Sequence, residues 1–530
     1  MKARWIAWSW LCLAACSGAA EPPSDAGDSR LGQPDAAAPD TATEPPDAAV
    51  QQDEQLLLTA PASVAPELSF TVVVHSANRT SATVGLCSAG AGTRLAEARL
   101  YRGGGSASLQ LSAAGLVNIE VCTPGFAGSR ILRVEERPAR ELSGELTDSD
   151  LLWDATQDVH VSGDLIVPQG ATLHVAPGTR VLLASKAAII VRGELSVDGT
   201  QAQPVVFAAA VQADRTRVPW GGLRFEPASK GTLRAAFFTG GGGDSARSFG
   251  HSQSQPVIWA DTADLTLLAC SIADNPGKAL GALNAHILVQ DTLISRCDTG
   301  GQLNRTVLRL HDSFVLEIPD ADGKPDDDDN DGLYLSQVYM NASGEPVESL
   351  IADSVFAMGE DDAIDHNDAL VRIERTFIQD FHHEGLAASN GHRATIVDSV
   401  VRGCDRGIEA GYGQPEVVVE RCLLTDNEYG LHVGDSYDWA TSGHMQVSNS
   451  VSVGNRSGNL RNYVIERMGP LDGALDVRCS MVDDPAFDGA SGNVSLVPNI
   501  VEQVLACEAQ GSWLDSAACD DTHLGPAFCF

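Results

Sequence analysis

Residues 354–375 read SVFAMGEDDAIDHNDALVRIER, and residues 376–398 read TFIQDFHHEGLAASNGHRATIVD. The two lines align on a small residue, Ser354 or Thr376, followed by an apolar pair. About nine positions later comes a Gly or Ala joined to an aliphatic residue, Ala363-Ile364 or Gly385-Leu386. The small residue recurs at Cys270, Thr292, Ser313, Ser354, Thr376, Ser399, Cys422 and Ser450, at spacings of 22, 21, 41, 22, 23, 23 and 28. The second half recurs at Gly407-Ile408 and Gly430-Leu431. A period near 22 carrying β-branched residues is one coil of a parallel β-helix, in which each coil stacks on the one before. The 41-residue gap is one coil with inserts, and the insert at 320–331, DADGKPDDDDND, is acidic. A long charged loop on a regular solenoid is the place to look for chemistry.

Stacking brings equivalent positions of successive coils to about 4.8 Å. The turn before each Gly/Ala-aliphatic pair reads Asp329-Asn330-Asp331, Glu360-Asp361-Asp362, His382-His383-Glu384, Cys404-Asp405-Arg406 and Asn427-Glu428-Tyr429. Asp365-His366, Glu409 and His432 follow the pair. One edge of the solenoid is therefore expected to carry a ladder of carboxylates with His and Arg. Stacked like charges repel, so protons, neighbouring cations or a bound metal ion must compensate. The candidate catalytic residues are Asp361, Asp362, Asp365, His382, His383, Glu384 and Arg406. Histidine exchanges protons near neutrality, and carboxylates in unlike surroundings divide into acid and base. Positions two coils apart, such as Asp331 and Glu384, would lie about 9–10 Å apart, near the upper end for inverting glycosidases.

Asp327, Asp329 and Asp331, followed by Gly332, form the first half of a calcium-loop pattern, with Asp320 and Asp322 placed to complete the shell. Val338 stands where the twelfth-position Glu would be, so this is no full EF-hand. A solvated acidic loop and ordinary polar turns are the plain alternatives.

From Trp153 onward the segments VHVSGDL (159–165), VPQGATLHVAPGTRV (167–181), IIVRGEL (189–195), PVVF (204–207) and WGGLRF (220–225) resemble the opening coils of right-handed parallel β-helix proteins of the pectate-lyase-like superfamily. The resemblance spans about 144–500 and implies an all-β fold of ~22-residue coils, with the β-helix itself expected over 144–478. In related polysaccharide lyases calcium neutralises a uronate and a basic residue removes a proton. No Lys is evident in the ladder here, so His or Arg would take that part, and the active-site pattern of the polygalacturonases is not intact. Residues 55–138 alternate at SFTVVV (69–74), ASLQL (107–111) and VNIEV (117–121), with glycines between. They resemble immunoglobulin-like β-sandwich domains, which commonly act as spacers or adhesion modules.

Lys2 and Arg4, an apolar run and Leu13-Ala14-Ala15-Cys16 resemble a lipoprotein signal, with Cys16 as the lipidated residue. Residues 17–54 are a Pro/Ala/Asp tether that cannot bury enough surface to fold. Ser17 favours the outer membrane by resemblance to lipoprotein sorting signals. No later stretch is long and apolar enough to form a spanning helix.

Net charge is −36, which sets nucleic acid and direct adsorption to anionic membranes aside. Beyond Cys12 and Cys16 ten cysteines remain, an even count that fits export. The expected bridges are local: 87–122, 270–297, 404–422, 479–507 and 519–529, the last two pinning a Cys-rich cap over 479–530. The expectation is a monomeric, lipid-anchored surface protein whose β-helix binds an acidic polysaccharide or cell-envelope glycan with Ca2+, with cleavage, by lyase or glycoside hydrolase chemistry, left open by the sequence. The alternative is a non-catalytic, calcium-stabilised adhesin or structural envelope protein. Tyr334, Tyr339, Tyr412, Tyr429, Tyr437 and Trp439 cluster near the ladder and could stack on sugars.

Overall fold

The structure is a computed structural model. It describes residues 53–211, 216–318, 329–434 and 443–462, together with 464–465, 469–470, 474–483, 493, 501, 502 and 505. The expected signal, Cys16, most of the tether, Asp320, Asp322, Asp327, Tyr437, Trp439 and most of the cap lie outside these residues.

Strands from Ala139 onward pair in parallel through a 13-stranded sheet and a 25-stranded sheet. Consecutive coils contribute strands to both faces of the larger sheet, which gives the right-handed parallel β-helix expected from the repeat. Each coil turns three corners, and in the regular coils each corner sits on a left-handed residue. One column of corners holds Asp291, Asp312, Asp353, Arg375 and Asp398; a second holds Asp274, Arg296, Glu317, Met358 and Asp380; a third holds Asn284, Arg305, Gln337, Asp368 and Asn390. Asp and Asn tolerate this backbone better than other side chains, which is why polar residues punctuate the apolar coils.

The small-residue column has a hydrogen-bonding reason. Each hydroxyl donates to the carbonyl two residues back, as Ser354 does to Ala352 at 2.7 Å. It also accepts from the backbone of the coil before, Ser313 N–H at 3.1 Å. That bond crosses the 41-residue gap, so the gap is one coil. In the apolar pair that follows, one residue points in and one points out. Val315, Phe356, Ile378, Val401 and Leu424 fill the interior, while Val355, Phe377, Val400 and Leu423 form a second, outer apolar stripe.

Two expected disulfides are not formed: Cys270, Cys297, Cys404 and Cys422 are buried thiols. Cys270 and Cys422 stand in the hydroxyl column, their Sγ–H groups donating to backbone carbonyls. Cys297 is level with Asn275, and the Cys404 N–H donates to Asn427 Oδ1 at 3.0 Å. Within each proposed pair the partners lie five strand positions apart, roughly 16 Å, whereas a bridge needs Cα atoms within about 7 Å. Burial raises these thiols to about 12. Cys87 and Cys122 are bridged as expected, and Cys479 is disulfide-bonded.

Residues 54–134 form a small sandwich of a four- and a five-stranded sheet around Leu56, Phe70, Val72, Val84 and Leu86. It lies against the coils and covers part of the outer stripe. Tyr101 and Val73 pack with Phe314 and Phe377, and the Arg102 guanidinium sits 4.5 Å over the Phe377 ring. A Cβ on Gly104 would come within 2.3 Å of the Phe314 ring, so glycine is required at this contact. Arg180, fully buried, grips Asp158 at 2.6 and 2.7 Å and reaches Ser63 Oγ at 3.2 Å and the Glu135 carbonyl at 3.0 Å.

Candidate functional site

The strands 333–336, 364–367, 384–389, 406–410 and 429–433 pair in register, which levels Leu333, Ile364, Leu386, Ile408 and Leu431. The residues two positions earlier therefore form one row: Asp331, Asp362, Glu384, Arg406 and Tyr429. Asp361, His383, Asp405 and Glu428 form the adjoining row. Residues one position after the level form a third: Tyr334, Asp365, Ala387, Glu409 and His432. Alternation along the strands sends His366 into the interior. There its Nε2 faces the Ala369 carbonyl, and burial lowers its pKa to about 4.

His383 is the hub. Its Nδ1 lies 2.8 Å from Glu384 Oε2, 3.0 Å from Asp361 Oδ1 and 3.5 Å from Asp362 Oδ1. Those hydrogen bonds, with Asp361 foremost, raise its pKa far enough to hold the ring as imidazolium. Burial works against the charge on Glu384, but its bonds to Asp362 and His383 and the charge of Arg406 outweigh that cost and hold it ionised. Arg406 pairs with Glu384 and lies 3.3 Å from Glu409 Oε2.

The other carboxylates shift the opposite way. Burial raises Asp331, Asp362 and Asp365 well above the usual carboxylate range, and repulsion adds to it, from Asp365 on Asp331, from Glu384 on Asp362 and from Asp361 on Asp365. Asp361 is raised less, because its bond to His383 opposes burial. Asp331, Asp362 and Asp365 offer oxygens within 4.8 Å of one another. Asp331, expected in the metal group, thus shares one cluster with Asp362 and Asp365, expected in the catalytic group. Asp329 stays at its rim, 61% exposed and 3.8 Å from His251 Nδ1.

His382 does not join the cluster. It lines a cavity of about 730 Å3 on the other side of the turn, between the coils and the sandwich, with Arg99, Tyr101, Arg296 and Asp380. The coils 359–364 and 381–386 hold one more residue between corner and row than coil 404–408. Glu360 and His382 occupy that extra place and face away from the cluster's centre.

Sequence reasoning missed Lys278, Gln302 and His251. Lys278 stands two residues before Leu280, and Leu280 is level with Gly301 and hence with Leu333. It heads the same row as Asp331, and extending the register back to Ala279-Leu280 would have found it. Its Nζ donates to Gln302 Oε1 at 2.9 Å. Burial lowers it to about 8 against the pull of Asp298, Asp331 and Asp329. His251 comes from an insert with no periodic signal.

A family model described as a pectate-lyase-like beta helix domain matches residues 144–235. A search of curated proteins gives no match. Among solved structures, a mutant of the periplasmic alginate epimerase AlgG is similar at 11% identity and a TM-score of 0.41, covering 68% of this chain and 86% of that one. The A-module of the Azotobacter vinelandii mannuronan C-5 epimerase AlgE6 is similar at 11% identity and a TM-score of 0.25, covering 62% of this chain and 91% of that one.

Proposed function

We propose that this protein is an exported, lipid-anchored β-helix that binds a polysaccharide at the Asp331–Asp365–Glu384 cluster and cleaves it by acid–base hydrolysis. The observation that supports this most is the unequal pair Asp361 and Asp365. Both are part-buried in one coil and repel each other, one bonded to an imidazolium and the other raised further by burial and by its neighbour. Such a pair divides into base and acid. Asp365 donates its proton to the bridging oxygen of the glycosidic bond. Asp361, oriented by His383, takes a proton from the water that attacks the anomeric carbon. Glu384 and Arg406 hold His383 in place. The basic side chains that a lyase reaction would call on are engaged: His383 is held as a cation, Arg406 is paired with Glu384 and Lys278 is buried. The Cys87–Cys122 bridge fits an oxidising compartment, and the Cys16 motif fits the anchor.

A second reading rests on the spacing of Asp331, Asp362 and Asp365. Their oxygens, within 4.8 Å of one another, suit a calcium ion, whose bonds to oxygen run about 2.3–2.6 Å. These residues would hold the ion, which would neutralise their charge and pair with the carboxylate of an acidic sugar. With Asp365 so engaged the site would bind without cleaving, as an adhesin would. Turnover of a panel of neutral and uronic-acid polysaccharides, with calcium and with chelator, separates the two. New reducing ends in chelator support hydrolysis, calcium-dependent binding without products supports the second reading, and neither outcome in any condition overturns both.

A further inference from the structure

Between the strands Ala236–Thr239 and Ile258–Asp261 the chain makes an insert that crosses two coils to reach the cluster. Ser252 and Ser254 each donate to Asp298 Oδ2 at 2.6 Å. The His251 N–H donates at 3.0 Å to Gln302 Oε1, the oxygen that also accepts from Lys278. Gly250 makes this possible: its φ is +77°, and a Cβ there would come within 1.6 Å of Gln302 Oε1. The His251 ring then rests 4.3 Å from the Tyr334 ring, beside Asp329.

The insert divides the rows into a covered part and an open part. Under and beside it Lys278, Thr299, Gln302 and Asn330 are buried. Past the cluster the row stays open, with side-chain exposures of 41% at His383, 37% at Asp405 and 32% at Glu428. A polymer lying along the rows could continue toward Glu428 but would meet residues 250–254 in the other direction.

We propose that residues 250–254 are the closed end of the site, so that the protein works from chain termini, and that His251 is a specificity-determining residue that meets the terminal sugar together with Asp329. This rests on the hydrolytic reading of the cluster. The test uses the polysaccharide turned over in the panel and a hexasaccharide cut from it. The native protein should release mono- or disaccharide from the first time point while the polymer keeps its size. His251→Ala should raise KM for the hexasaccharide about tenfold, the equivalent of ~1.4 kcal/mol, with kcat changed far less. Gly250→Ala, and independently Ser252→Ala with Ser254→Ala, should produce mid-length fragments and a fall in viscosity. Mid-length fragments from the native protein, or terminal release that survives in both loop variants, overturn the closed end and leave the hydrolytic reading standing. No turnover of any chain overturns both.

Discussion

Glu384 and Asp362 occupy one row in adjacent coils, and the backbone N–H of Glu384 donates to Asp362 Oδ1 at 2.8 Å. His383 spans both carboxylates from the next row. The placement of the hub is therefore set by main-chain register as well as by side-chain choice.

Removing the hub should abolish function without unfolding the protein. His383→Ala and Glu384→Gln, which unfix the base Asp361, are each expected to lower turnover by up to about 10²–10⁴-fold, the span of a positioned acid or base. His174→Ala, on an exposed position of an early coil, should leave it intact. Initial rates and melting curves on the three variants check this; equal losses at His174 would mean general damage to the fold.

Asp331, Asp362 and Asp365 are all raised by burial. The folded state thus prefers their protonated forms. Their favourable contribution is complete below the ordinary carboxylate range, near pH 4, and is lost as pH rises through the raised values. In chelator the melting temperature should fall as pH rises above the ordinary carboxylate range, and Asp365→Asn should flatten that slope. If the second reading holds, calcium at 100 times its dissociation constant restores about 2.7 kcal/mol at high pH. A flat profile in chelator together with no calcium response would remove the cluster as a charged site.

The hydroxyl column predicts a local cost. Ser354→Ala removes a donor to Ala352 and the acceptor of Ser313 N–H, leaving a buried amide unmet. The expected loss is about 1–3 kcal/mol, read from a denaturant midpoint. Ser343, exposed on a loop, provides the control.

Arg180 is the bolt between the first coils and the sandwich. Asp158→Ala leaves its charge buried without a carboxylate, which typically costs about 3–5 kcal/mol. Paired replacement of Arg180 and Asp158 by apolar residues should recover part of that loss.

Thiol chemistry distinguishes the two kinds of cysteine. In native protein Cys270, Cys297, Cys404 and Cys422 should resist alkylation, and in denaturant without reductant all four should react while Cys87 and Cys122 do not. Mass spectrometry of the labelled peptides reads the result directly.

The coil repeat and the rows of the cluster were legible because both follow from one regular spacing. Once Ser354 and Thr376 are aligned, Asp362 and Glu384 must be neighbours. The same regularity misled the reading of cysteine. Cys270 and Cys297 fall in adjacent coils, but at opposite ends of a strand, and proximity in coil number is not proximity in space. His382 shows a finer limit. One extra residue in its turn sends it to the cavity beside Tyr101 while His383 keeps the row. His251 was illegible because its insert obeys no period, and its partners Gln302 and Asp298 are distant in sequence. The fastening of the sandwich was hidden too, since Phe314 and Phe377 look like core residues until both faces of their strands are seen.

The outer apolar stripe has a consequence for how the molecule comes into being. Its covers are drawn from opposite ends of the chain: Tyr101 and Val73 from the sandwich, Val501 and Leu505 from near the C-terminus. During synthesis the sandwich is finished before any coil exists, so each coil from Leu293 to Phe377 can be sheltered as it forms. The part that Val501 and Leu505 pack against waits for those residues to emerge. A chain cut back to its coils would keep every stacked hydrogen bond and still present a greasy ridge along one side, and its failure would be clumping rather than unravelling.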